Sequence, residues 1–333
     1  MERNKATLDF MRLVEGRQKF LLGTPDADVD AGASQMKLRS FLNWYTKLQG
    51  ISFQCCLWAP EPPRPNALFD TFSAIGNPLT EIGPLIPFDP EVCIVLDYGD
   101  WNRVKEKGFP EFAVPHIGID HHPGKPGFPG LEIIDLDAAS TTCVLFDLLE
   151  DYRGYHISAD VATCALAGLV ADTGRFGNKL MKKPKIYRYA ASFEARGART
   201  AEISIASLPH NTLSRLDALH LIRESRLQID RELDFAFFWF TPDDLRSWDV
   251  VEEDCLTMFS YLMDFGVITA YYMKDGAWYC SLRPGRNSKV SVGTIATGFG
   301  GGGHTDMAAF STNLQHEEIF LKIKKILREP ETT

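Results

Sequence analysis

The apolar and polar positions divide the chain in two. In the first part, short apolar runs alternate with amphipathic segments. Residues 19–22, 51–58 and 112–119 are mainly apolar, and 91–97 is an unbroken apolar run bounded by Glu91 and Asp97. Such runs fit parallel strands covered on both faces. Leu38, Phe41, Leu42, Tyr45 and Leu48 recur at three- and four-residue spacing and predict a helix starting near Ala33. Further helices are expected over 66–75, over 140–149 with Ser140, Thr141 and Thr142 as cap, and over 159–170. After residue 197 the rhythm changes. Helical segments over 198–231 lead to strands at 233–240, 267–272 and 277–282, the last two forming a hairpin across Asp275 and Gly276. Helices are then expected at 290–299 and 316–327. The pattern predicts a Rossmann-like, mainly parallel α/β sheet in 1–197, a helical linker over 198–231, and a smaller α+β domain over 232–333.

Composition narrows the setting. A chain of 333 residues can bury a core in each domain. Seven cysteines without a Cys-x-x-Cys spacing argue against a disulfide framework or a thiolate zinc site, and Cys93, Cys143 and Cys164 read as small core residues. No apolar run is long enough to span a bilayer, and residues 1–19 lack the apolar centre of a signal peptide, so a cytoplasmic protein is expected. A net charge of −9 argues against gripping long duplex nucleic acid, yet a bound metal would still admit a short anion.

The candidate chemistry gathers at strand ends. Asp120, His121 and His122 close the run at 112–119, and Asp97 closes the one at 91–97. Asp26, Asp28 and Asp30 follow the first strand, while Asp172 ends the helix at 159–170. In open α/β sheets ligands bind at the carboxyl ends of strands. One aspartate is explained as a helix cap, but three at alternate positions are not. Carboxylates and imidazoles without thiolates suit a harder divalent metal such as manganese. The number of groups suits two metals, which at about 3.5–4 Å can deprotonate a shared water and stabilise an in-line displacement at phosphorus. Downstream, Gly300 to Gly303 run into His304 close after Arg283 and Arg286. Backbone N–H groups of Gly301, Gly302 and Gly303 with those cations could cradle a phosphate; a plain flexible loop is the competing reading. The lysines at 179, 182, 183 and 185 read as a solvated face.

Taken together, these residues resemble the DHH phosphoesterase family with its DHH-associated C-terminal domain. The matching elements are the acidic loop after the first strand, Val95-Leu96-Asp97, Gly118-Ile119-Asp120-His121-His122, Ala171-Asp172-Thr173-Gly174 and Gly300 to His304, in the family's order. The resemblance implies a catalytic and a substrate-gripping domain, and two Mn2+ ions, with Mg2+ or Co2+ as substitutes. Asp97 would bridge the metals, His121 and Asp172 would hold one, and Asp120 would orient His121. His122 would face the scissile phosphate, and His304, Arg283 and Arg286 would hold the rest of the substrate. Members of this length resemble nanoRNase-type exonucleases of very short RNA, hydrolases of linear or cyclic dinucleotides, and phosphatases of 3′-phosphoadenosine 5′-phosphate; a homodimer is compatible with this. One position departs. The family's first motif is His-x-x-x-Asp-x-Asp, and Thr24 stands at the histidine when Asp28 and Asp30 take the carboxylates. Pairing Asp26 with Asp28 puts Leu22 there instead. With the imidazole missing, one metal is expected to bind more weakly or not at all. A non-catalytic nucleotide-binding regulator and a polyphosphate or pyrophosphate hydrolase are the alternatives. Phe176 and Phe299 are aromatics that could stack a base or belong to a core.

Overall fold

A computed structural model describes residues 3–64, 66–72, 74–123, 126–177, 185–207, 213–274, 276–286, 288, 290–303 and 307–328. The chain forms two units, Met1–Leu208 and Pro209–Thr333, each with its own six-stranded sheet.

The first unit contains β1 (Lys19–Gly23), β2 (Gln54–Trp58), β3 (Ile82–Gly83), β4 (Val92–Leu96), β5 (His116–Asp120) and β6 (Leu131–Ile134). They lie in the order β3-β2-β1-β4-β5-β6, and every pairing is parallel. Alternate side chains of the apolar runs feed two separate cores. Phe20, Leu22, Ile94 and Leu96 join one, while Leu21, Cys93 and Val95 join the other beside Trp58 and Phe109. This explains why the runs show no polar face. The sheet order reverses direction between β1 and β4, which opens a crevice beyond their carboxyl ends. The sequence motifs fall there.

In the second unit, β7 (Leu227–Asp230), β8 (Phe235–Trp239), β9 (Val267–Lys274), β10 (Ala277–Pro284), β11 (Gly302–Gly303) and β12 (Ala308–Ser311) lie in the order β11-β12-β10-β9-β8-β7. Only the β8–β9 pair is parallel. Phe235, Phe237, Tyr271 and Leu282 pack with Val292, Ile295, Ile319 and Ile323 of the helices Val292–Thr297 and His316–Arg328. Ala236, Phe238, Ile268 and Ala270 pack with Ala218, Leu219 and Ile222 of the helix Leu213–Ser225.

Several expectations shift for physical reasons. The helix expected from Ala33 begins at Val29, because its first turn carries Ala31, Gly32 and Ala33, small buried residues that give no apolar contrast. The helix expected over 66–75 shrinks to Ala67–Asp70. The helix Arg3–Val14 was not foreseen; its charge masks Phe10 and Val14, which are fully buried at i, i+4 spacing. The division between units falls inside the segment expected as a linker. Ile203 of the helix Thr200–Ala206 joins the first core, whereas the helix Leu213–Ser225 belongs to the second. Within the glycine run, Gly302 and Gly303 form a short edge strand. A Cβ on Gly301 would lie 2.3 Å from the Ala309 carbonyl oxygen, so close backbone pairing requires glycine there. The lysines at 179, 182 and 183 and the turn residue Asp275 lie outside the described residues. Among the described residues no helix is long and apolar enough to cross a membrane, and all seven cysteines are free thiols.

Candidate metal centre

Four segments of the first unit bring ionisable groups to the crevice. Asp97 directly follows β4 and adopts φ +52°, a left-handed conformation that aspartate tolerates better than most residues. Its N–H still donates to the Ile119 carbonyl at 3.1 Å, so the sheet pairing is kept. His121 and His122 follow β5, and Asp172 ends the helix Ala159–Asp172. His121 Nε2 lies 3.1 Å from Asp172 Oδ2 and 3.5 Å from Asp97 Oδ1. Potential ligand atoms of Asp30, His121 and Asp172 lie within 4.8 Å of one another, as do those of Asp97, Asp120, His121 and His122.

Asp30 is fully buried. Its carboxylate accepts from the N–H groups of Thr141 and Thr142 at 2.6 and 3.3 Å, at the start of the helix Thr141–Leu149. Unpaired helix N-terminal N–H groups make a natural carboxylate site. The Thr141 hydroxyl also donates to Asp97 Oδ1 at 3.1 Å. Thr141 therefore holds two of the site carboxylates.

Asp120 is also fully buried, and five donors saturate it. Tyr98 and Gly99 N–H reach Oδ2 at 3.2 and 2.6 Å, while His121 and His122 N–H reach Oδ1 at 2.7 and 3.0 Å. The fifth is the His122 ring, whose Nδ1 is 2.9 Å from Oδ1. The resemblance implied that Asp120 orients His121. The structure corrects the means: Asp120 holds His121 through its backbone and grips the imidazole of His122 instead.

The electrostatics of this cluster call for a cation. Burial, reinforced by the charge of Asp97, pushes Asp30 up to about 7. Burial likewise lifts Asp97 and Asp172 to about 6. Burial opposes a charge on His121, but its contacts with Asp172 and Asp97 and the charge of Asp30 raise it to about 11. His121 Nε2 is nevertheless buried without a properly formed hydrogen bond. A ring nitrogen orphaned among carboxylates is the arrangement expected around a divalent ion. Asp30, His121 and Asp172 thus fit as ligands of one metal, with Asp97 3.5 Å from the same imidazole.

A second metal finds fewer ligands. Thr24, where the family motif has histidine, is fully buried and its hydroxyl donates to the Asp26 carbonyl at 2.9 Å. Asp28 Oδ1 caps the helix Val29–Leu48 by accepting from Ala31 N–H at 3.0 Å. Asp26 was expected as a ligand, but its carboxylate pairs with Arg103 and lies 3.9 Å from Lys107 Nζ. That removes Asp26 from the cluster.

Arg283, Arg286 and Gly301 to Gly303 lie in the second unit, and His304 lies outside the described residues. Arg283 Nη1 donates to Ser281 Oγ and the Leu282 carbonyl at 3.0 and 2.9 Å, and its guanidinium sits over Phe259. Arg286 is exposed, 3.9 Å from Asp264. Thr141, Thr142 and Gly168 were missed as site residues by the sequence reading. The run Ser140-Thr141-Thr142 announced a helix cap, but nothing local shows that the cap faces Asp30.

No family model matches the chain. It is similar to the bifunctional oligoribonuclease and PAP phosphatase NrnA of Thermus thermophilus, 27% identical over 205 residues, covering 61% of this chain and 57% of that protein. The match thus spans little more than half of that relative's length. An uncharacterized protein of Mycoplasma pneumoniae, the MG371 homolog, is 24% identical over 241 residues, covering 71% of this chain and 70% of that one. Among solved structures, an exopolyphosphatase-related protein of Bacteroides fragilis superposes with a TM-score of 0.80 at 18% identity, over 98% of this chain and 96% of that chain. Motif order, the 3-2-1-4-5-6 sheet and these likenesses agree, and in fold and motif order the chain resembles the DHH phosphoesterases.

Proposed function

We propose that the chain is a manganese-dependent phosphoesterase that hydrolyses short nucleotide substrates: short oligoribonucleotides, linear or cyclic dinucleotides, or 3′-phosphoadenosine 5′-phosphate. The observation that carries this reading is the orphaned, buried His121 Nε2 between Asp172 and Asp97. A divalent cation held there, Mn2+ with Mg2+ or Co2+ as substitutes, supplies the Lewis acid and the water nucleophile. The rest falls to the chain's own groups. Burial opposes the charge on Asp120, but its bonds to His122 and to backbone N–H groups keep it ionised, below the usual carboxylate range. The bond to Asp120 in turn raises His122, favouring its protonated form. With Nδ1 committed to Asp120, Nε2 is the atom that can donate to a phosphate oxygen. His122 is thus assigned as the group that meets the scissile phosphate. His304, Arg283, Arg286 and the N–H groups of Gly301, Gly302 and Gly303 are assigned to the remainder of the substrate. The oligoribonuclease and PAP phosphatase activities of NrnA support the substrate class, and seven free thiols suit a cytoplasmic setting.

The test is incubation with Mn2+ and a panel of a short RNA, a linear dinucleotide, phosphoadenosine phosphate and pyrophosphate. Release of nucleotide that Asp97→Ala abolishes supports the proposal; cleavage of pyrophosphate alone would overturn it. A second reading, nucleotide binding without turnover, is favoured by the buried Thr24 at the motif histidine. Tight binding with no product from any member of the panel would select it.

A further inference from the structure

Close in sequence to Asp172, an exposed pair of aromatic rings has no part in any core of the described residues. Phe176 and Tyr187 stack with centroids 5.9 Å apart and ring planes 24° from parallel. They are 37% and 67% exposed. Phe299, the other aromatic singled out in the sequence, is spoken for: it stacks on Phe310 at 4.2 Å and packs against the second unit's core.

The backbone that carries Phe176 is strained. Gly174, Arg175 and Phe176 hold φ angles of +54°, +61° and +62° in succession. Arginine and phenylalanine adopt this region only at a cost, since their Cβ crowds the backbone. Strain of this kind persists where surrounding contacts impose it, and it concentrates at binding sites. Here Thr173 is the anchor. Its hydroxyl donates to the Leu169 carbonyl at 2.7 Å and accepts from Phe176 N–H at 3.1 Å. Burial of the ring does not offset the strain, because the ring stays at the surface. Phe176 stands four positions after Asp172, so their Cα atoms lie within about 14 Å of each other. Arg175, exposed on the same turn, adds a positive charge suited to an anionic ligand.

We propose that Phe176 and Tyr187 form a stacking platform for a base of the substrate whose phosphate is held at the Asp30, Asp97, His121 and Asp172 centre. This rests on the nucleotide reading above and sharpens it. A third ring continues an offset stack with little regard to base identity, because every base has a π face. Purines, with the larger face, are favoured over pyrimidines, and inorganic polyphosphates gain nothing from the platform.

The test compares a diadenylate dinucleotide with an abasic dinucleotide of the same sugar–phosphate backbone. For wild type, kcat/KM is expected to favour the diadenylate about tenfold or more, the size of one base–aromatic stack. Phe176→Ala should collapse that ratio towards one, mainly through KM, and Phe176→Tyr should restore it. Independently of turnover, a dinucleotide containing 2-aminopurine should lose fluorescence on binding to wild type but not to Phe176→Ala. A ratio and quench unchanged in Phe176→Ala overturn the platform. So does an equal loss on both substrates with weaker metal binding, which would show a purely structural role next to Asp172. Failure of the function itself looks different: wild type would cleave neither substrate, and the quench titration would still decide the platform.

Discussion

Thr141 N–H donates to the carboxylate of Asp30 at 2.6 Å, across 111 residues of chain. The contact sets the first turn of the helix Val29–Leu48 against the start of the helix Thr141–Leu149 and buries an acid that burial and Asp97 push up to about 7. Such a group costs stability until a cation compensates it. Asp30→Asn is therefore expected to leave the metal-free protein as stable as wild type or more so. Wild type should gain several degrees in Tm on adding Mn2+, by linkage to binding, and Asp30→Asn should not. Equal metal-induced stabilisation of the two proteins in a thermal melt would show that Asp30 is not a ligand.

Gly168 is the small residue that gives Asp30 its room. A Cβ there would lie 2.5 Å from Asp30 Oδ1, and that oxygen cannot swing aside while Thr141 and Thr142 hold the carboxylate. Gly168→Ala should weaken Mn2+ binding at least tenfold and lower stability by about 1–3 kcal/mol, the usual range for overpacking. Calorimetric titration and urea unfolding read the two effects. A variant with wild-type metal affinity would mean the helix shifts freely, contrary to this packing.

The three aspartates of the first loop should separate cleanly in metal titrations. Asp172→Ala and Asp30→Asn are expected to abolish the tight site. Asp28→Ala should keep it and lose about 1 kcal/mol of stability as a helix cap is removed. Asp26→Asn breaks only the exposed pairings with Arg103 and Lys107, so affinity should change little and stability by less than about 1 kcal/mol. Because Thr24 offers no imidazole, wild type should show one tight site and at most one weak one. Two equally tight sites would falsify this.

Lys37 gives a pH signature away from the metal ligands. It is 1% exposed, its Nζ donates to the Thr142 carbonyl at 3.0 Å, and it lies over Phe146 and Phe193. Burial lowers it from 10.5 to about 8. Between those values the unfolded chain binds more protons than the folded one, so this lysine's effect makes stability rise with pH. The contribution is fully present above pH 10.5 and is lost as pH falls through about 8. Lys37→Met should be more stable than wild type at pH 7 by about 1–2 kcal/mol, a gap that closes towards alkaline pH. Parallel denaturation midpoints of the two proteins from pH 7 to about 10 would contradict a depressed lysine.

Much of the design was legible locally. Apolar runs announced buried parallel strands, and Asp97, Asp120, His121 and His122 stood at their ends, because a strand buried on both faces must expel its polar residues to its termini. The change of rhythm after residue 197 marked a second unit. Elements whose residues give no contrast stayed hidden: the small-residue first turn at Val29 and the charged helix Arg3–Val14.

What the chain alone determined is the inventory of carboxylates and imidazoles and the strand ends that carry them. Tertiary structure decided which of them meet. It drew Asp26 away to Arg103, spent Asp28 on a helix cap, set Asp30 against Thr141, and gave the His122 ring rather than the His121 ring to Asp120. The reason is physical. Buried carboxylates go to whichever donors packing brings near, and those donors lie up to 112 residues away, beyond any local pattern.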